Sequence, residues 1–154
     1  MNINEFIVKY RNIRVLKDYR GTSMEKDFED GIMRRVMNPY VICKDDFTFS
    51  AQASFTHYSK PKGLADEYEE IEIGFPSYND CIIAEYREDY GWEDESTLSN
   101  PVYPFVPVKV VNDLIAAHGG IDEQAVQDEI ADLKEISYGM INLKRKLEYS
   151  KRSL

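Results

Sequence analysis

Two stretches of this chain alternate strictly between apolar and polar side chains, and that alternation confines its middle to strand. In "DDFTFSAQASFTHYSKPKG", Phe47, Phe49, Ala51, Ala53 and Phe55 fall on one face, and Thr48, Ser50, Gln52, Ser54 and Thr56 on the other. A period of two belongs to a pleated strand, whose successive side chains point to opposite faces. "YEEIEIGF" repeats the pattern, setting Glu70 and Glu72 opposite Ile71 and Ile73, and "CIIAEY" offers a third strand. The connecting "SKPKGLADE" and "PSYND" are rich in the Pro, Gly, Asn and Asp that turns require. Residues 40–106 therefore read as an antiparallel β meander with one solvated face.

The flanks read as helical. Over residues 3–37, Ile3, Phe6, Ile7 and Tyr10 recur at helix spacing. "TSMEKDFEDGIMRRVM" then offers Thr22 or Ser23 as N-cap, with Met24, Phe28, Ile32 and Val36 on one face. Residues 107–150 turn helical again: Pro107 suits a helix start and Gly119-Gly120 a stop. A second helix begins at Ile121 or Asp122 and would span roughly 43 Å if unbroken. Its acids gather at the start and its bases at the end, as the helix dipole favours. Its stripe of Ile136, Met140, Leu143 and Leu147 suits either the chain's own sheet or a coiled-coil-like homodimer. The expected fold is α+β: a single domain over residues 1–154, with an antiparallel sheet of about three to five strands, N-terminal helices and a long C-terminal helix.

Charge is distributed unevenly. The chain carries a net charge of −9, which argues against direct contact with nucleic acid, since phosphates call for an excess of Lys and Arg. Residues 66–95 hold twelve acids and one base, Arg87, so the excess negative charge lies entirely in that stretch. No run is long and apolar enough to cross a membrane, and "MNINEFIVKYRNIR" is charged where a leader needs an apolar core, so a cytoplasmic location is expected.

Motifs for familiar chemistry are missing from the sequence: no phosphate loop, no dinucleotide fingerprint, no HExxH and no GxSxG. Cys43 and Cys81 stand far apart and read as reduced, buried small hydrophobes. His57 and His118 are the two histidines, and nothing in their spacing calls for metal, so no metal and no cofactor is expected. His118, just before Gly119-Gly120, reads as a cation near a helix C-terminus, and His57 as a strand residue near a sheet edge. Pairs of carboxylates could divide acid and base roles, but acids this dense make every pair equally easy to choose. A solvated or partner-reading surface is the simpler account. Exposed acids mixed with Tyr68, Tyr78, Tyr86, Tyr90 and Trp92 combine charge with aromatic anchors, as interfaces do.

The run "QASFTHYSKPKG … EYEEIEIGFPS … VYPFVPVKVVNDLIAAHGG", residues 52–120, resembles small uncharacterised accessory proteins of tailed bacteriophages, which carry a GFPS-like strand, a VYxxVP segment and a terminal HGG. The resemblance implies phage or prophage origin, hence a bacterial host cytoplasm, and supplies no reaction or site. The long acidic insert around Trp92 and the extended C-terminal helix depart from that pattern.

The expected function is therefore non-enzymatic. A nucleic-acid-mimicking surface would engage the basic groove of a host or defence protein, in the manner of an anti-CRISPR or anti-restriction protein. Its expected contact residues are Glu69, Glu70, Glu72, Glu88, Asp89, Trp92, Glu93, Asp94 and Glu95. Two alternatives stand beside it: an assembly protein dimerising through the C-terminal helix, and a small enzyme with an unfamiliar site near His57 or His118.

Overall fold

The computed structural model describes residues 1–88 and 102–134. The chain forms two compact units, Met1–Ile121 and Asp122–Leu154. The first unit runs α1 (Ile3–Tyr10), β1 (Asn12–Asp18), β2 (Ile32–Met37), β3 (Val41–Ile42), β4 (Thr48–Gln52), β5 (Glu70–Gly74), β6 (Val102–Pro107) and α2 (Val108–Ala117). Strands β1 and β2 form a two-stranded antiparallel sheet, and β3-β4-β5-β6 form a second, four-stranded one. Among the described residues every pairing is antiparallel, so the architecture is α+β, as the alternation predicts.

Local chemistry accounts for the elements. Asn2 caps α1: its Oδ1 accepts the Glu5 N–H at 2.9 Å while its Nδ2 donates back to the Glu5 carboxylate at 2.7 Å. The first bond satisfies one of the backbone donors that a helix start leaves open, and the second, between side chains, holds the cap in place. Helix α2 begins directly after Pro107 and ends where Gly119 and Gly120 turn left-handed, at φ +87° and +93°. The Gly119 and Gly120 N–H groups donate to the Ala116 and Ile115 carbonyls, closing the helix end.

The core draws on both helices and one face of the larger sheet. Ile3, Phe6 and Ile7 of α1, Val111 and Leu114 of α2, and Phe49, Ala51, Ile71, Ile73, Tyr103 and Val106 of the sheet are fully or almost fully buried. Burial of an Ile, Leu or Phe side chain stabilises by about 1.5–3 kcal/mol. A hydrogen bond from the Ile3 N–H to Asn112 Oδ1 at 2.8 Å ties the two helices together.

Several expectations are corrected. The region 3–37 is helical only over Ile3–Tyr10; Asn12–Asp18 and Ile32–Met37 are strands of a hairpin. Neither Thr22 nor Ser23 starts an α-helix: the 3₁₀ turn Glu25–Asp27 stops at the extended Phe28, φ −131°, and the next, Glu29–Gly31, holds the left-handed Asp30 and Gly31, at φ 54° and 74°. The Phe28, Ile32, Val36 spacing imitates a helix across a turn and a strand.

"CIIAEY" is not a strand either. It forms turns and a 3₁₀ segment, Ala84–Tyr86, with Ile83 buried, and β6 occupies the position beside β5. Strand β4 ends at Gln52, leaving Phe55 exposed. Ser50 and Gln52, expected on a solvated face, are buried because Asn38 covers them: its N–H donates to Gln52 Oε1 at 2.8 Å, and Gln52 Nε2 donates to its carbonyl at 2.9 Å. Cys43 is buried as expected, whereas Cys81 is exposed.

In the second unit, residues 123–134 are helical, and Asp122 Oδ1 accepts the Ala125 N–H at 3.0 Å as the cap. The expected oligomer stripe of Ile136, Met140, Leu143 and Leu147 lies outside the described residues.

Candidate functional site

Strand β5 sits inside the larger sheet, so its acids are framed by neighbours on both sides. Ile71 and Ile73 face the core, which leaves Glu70 and Glu72 half-buried on the opposite face, about 6.7 Å apart along the strand. On the β6 side the ladder slips: Ile71 pairs with Val106 and Ile73 with Tyr103, so Pro104 and Phe105 both stand opposite Glu72 as a bulge. Phe105 there takes a left-handed backbone, φ 51°. A bulky aromatic residue is rarely held in that region, which costs on the order of 1–3 kcal/mol.

The strain has a visible result. The Phe105 ring is 46% exposed and packs against Tyr58, 49% exposed, with ring centroids 5.6 Å apart. The Tyr58 N–H donates to Glu72 Oε2 at 3.0 Å, and the Phe105 N–H donates to the Tyr58 carbonyl. Glu72, Tyr58 and Phe105 therefore form one connected ridge. Tyr86, half-buried in the 3₁₀ segment, has its phenol pKa raised, first by burial and then by the Glu85 and Glu70 carboxylates. Glu69 lies at the exposed start of the strand, where its carboxylate meets Lys60 at 3.3 Å.

Of the expected contact residues, Glu70 and Glu72 are thus brought together on one sheet face, with Glu69 just before them. Glu88 is half-buried, and its N–H donates to the Val102 carbonyl at 2.9 Å. Asp89, Trp92, Glu93, Asp94 and Glu95 lie outside the described residues. Tyr68 proves to be core, 3% exposed, with its hydroxyl donating to the Gly63 carbonyl at 2.6 Å. The sequence reading passed over Tyr58 and Phe105. Phe105 sits in a Pro-Phe step within a strand, "VYPFVP", and proline inside a strand pattern is the signal that could have exposed the bulge.

The histidines are deployed differently. His118 caps the end of α2 and is 7% exposed. Its Nδ1 lies 2.6 Å from Asp45 Oδ2 and its Nε2 lies 2.7 Å from Asp80 Oδ2, while its ring stacks on Phe47 with centroids 3.9 Å apart. Each carboxylate spends its second oxygen on its own turn: Asp45 Oδ1 accepts the Phe47 N–H at 3.0 Å, and Asp80 Oδ1 accepts the Ile82 N–H at 2.9 Å. With both carboxylates ionised, both ring nitrogens must donate, which makes the ring an imidazolium in that state. Burial acts to lower its pKa, but the hydrogen bonds and charges of Asp80 and Asp45 outweigh that, and the net shift is upward. Asp45 is shifted down, chiefly by the Phe47 N–H and, against an opposing effect of burial, by His118.

As the imidazolium, with both nitrogens donating, the His118 ring has no lone pair to take a proton. It works as a clamp joining the β3–β4 turn, the turn at Asp80 and the end of α2.

His57 is not a strand residue. It follows β4 in a turn, with Nδ1 2.6 Å from Ser54 Oγ. That distance suits a nucleophile and its base, but Ser54 is only 1% exposed and its Oγ also accepts the Thr56 N–H. Burial lowers the His57 pKa, with Glu72 acting in the opposite direction. The pair closes a local turn.

Among the described residues, no group of three or more His, Cys, Asp or Glu is arranged to hold a metal ion, and no helix is long and apolar enough to cross a membrane. Comparison with known proteins finds no matching family model, no matching curated protein and no matching solved structure.

Proposed function

We propose that this chain is a non-enzymatic accessory protein that uses its acidic sheet face to occupy a basic groove on another protein. Phage or prophage origin, which the sequence resemblance implies, narrows that protein to a host or defence enzyme that handles nucleic acid. The observation that carries the reading is the ridge of Tyr58 and Phe105 beside Glu70 and Glu72. The sheet tolerates a left-handed phenylalanine there, and the result is an exposed aromatic pair flanked by carboxylates. Backbone strain is retained where it serves function, and aromatic anchors ringed by charge are how interfaces combine affinity with steering. The two histidines support the same reading, since each is engaged in holding turns.

The test is a pull-down of the tagged chain from bacterial lysate at low and high salt, read by mass spectrometry. The expected result is retention of a nuclease or other nucleic-acid enzyme at low salt and its release at high salt. A triple variant, Glu69→Lys, Glu70→Lys and Glu72→Lys, should lose that enzyme while its circular dichroism is unchanged. Should the Lys triple fail to fold, the Gln triple, which keeps side-chain shape, should still weaken retention. Full retention by a folded triple variant would refute the proposal.

A further inference from the structure

The other exposed face with a definite chemistry is the β1–β2 hairpin, on the opposite side of the charge ledger from β5. Strand β1 pairs with β2 alone among the described residues and is exposed along its whole length. It therefore presents an open edge of backbone N–H and C=O groups, the feature to which a further strand can add. Ile13, Val15 and Leu16 are 44%, 60% and 47% exposed on it.

The bases on this hairpin are arranged against their own interest. Arg14 stands directly opposite Arg35 across the ladder, an arrangement that like charges disfavour. Lys17, paired with Met33, adds a third base close by. Neither arginine side chain has a hydrogen bond or an ion pair among the described residues, and Asp18, the one acid of β1, is already paired with Arg20 at 2.7 Å. The register places Arg14, Arg35 and Lys17 on one face of the hairpin and Ile13, Val15 and the buried Val36 on the other, where Arg34 stands opposite Val15 with its guanidinium turned to the Glu29 carbonyl.

Lysines, arginines and a bulge also guard an edge against self-association, and the ladder does slip between Val15 and Lys17. Guarding accounts for the bases. It does not account for three exposed aliphatic side chains on the same strand, which a purely defensive edge would replace with polar residues.

We infer that the β1 edge is a docking site for an extended segment of another protein in which acidic and aliphatic residues alternate. Added beside β1, such a strand sets its acids against Arg14 and Lys17, with Arg35 one strand further on the same face, and its aliphatics beside Ile13 and Val15, while its backbone completes the open edge. A second copy of β1 is a poor occupant, because it would bring Arg14 and Lys17 up against their own kind.

The test is a titration of the full-length, isotope-labelled chain with a synthetic peptide alternating Glu and Val, followed by amide chemical shifts. The expected result is saturable shifts confined to Asn12–Asp18 and Ile32–Met37, absent with the same peptide carrying Lys for Glu. An Arg14→Glu, Arg35→Glu variant should weaken binding at least about tenfold. The wild-type shift map decides the matter even if that variant does not fold. No shift on β1 at large peptide excess would overturn the inference. So would hairpin binding of a single-stranded oligonucleotide but not of the peptide, or salt-sensitive self-association lost with Arg14→Glu, since either names a different occupant.

Discussion

Phe105 shows how a single residue can be at odds with the stability of its own fold. Its left-handed backbone is one that glycine adopts freely and phenylalanine does not. Replacing it should relieve strain, because the ring is half exposed and its main contact is Tyr58. Phe105→Gly is expected to leave stability unchanged or raise it by about 1 kcal/mol in urea denaturation, while retention of the protein partner in a pull-down falls. A variant that is both less stable and fully competent in binding would separate the strain from the function proposed for it. At this scale the sequence was only half legible. Glu70 and Glu72 could be placed on one face from the alternation alone. Tyr58 and Phe105 could not be joined to them, because that requires knowing that β6 pairs with β5 and slips by one residue opposite Glu72.

The elements were legible where period and punctuation agreed. The alternation in "DDFTFSAQ" and "YEEIEIGF" corresponds to β4 and β5, and Pro107 and Gly119-Gly120 bracket α2. They were misread where a turn placed apolar residues at a deceptive spacing, as with Phe28, Ile32 and Val36. The His118 clamp belongs to this scale too, since Asp45, Asp80 and His118 come from three turns distant in sequence. Its pH dependence follows from the two shifts. The raised His118 pKa means that its contribution is complete below the ordinary histidine value of 6.5 and is lost as pH rises through the raised one. The lowered Asp45 pKa means a contribution complete above the ordinary 3.8 and lost as pH falls through the lowered one. The Tm gap between wild type and His118→Ala should therefore be widest between those two ordinary values, at several degrees, and narrow as pH rises through the raised His118 value. A gap independent of pH would mean that the ring serves only as packing on Phe47.

For the molecule as a whole, net charge is a poor guide and its distribution a good one. A total of −9 conceals an acidic stretch at residues 66–95 and a hairpin that carries Arg14, Lys17, Arg34 and Arg35. Charges on exposed faces act over about 10 Å at 0.1 M salt and over less as salt rises. Association with a basic partner through the β5 face should thus slow steeply with ionic strength, while dissociation, governed by the aromatic pair, changes little. Stopped-flow or surface-based kinetics across a salt series would read both. An association rate insensitive to salt would leave the acids with solubility as their only role. The α+β class was readable in the sequence at this scale, because alternation and helix punctuation are local signals; the hairpin was not, because its two strands are separated by an irregular turn.

The two thiols offer a practical consequence. Cys43 is buried, and its pKa is pushed up to about 11, by burial first and then by Asp45; Cys81 is exposed and directly follows Asp80 of the clamp. A maleimide dye added to the native chain near neutral pH would attach at Cys81 and spare Cys43. The wild-type sequence thus comes with a labelling position one residue from the clamp, and opening of that turn can be followed by fluorescence without engineering a cysteine.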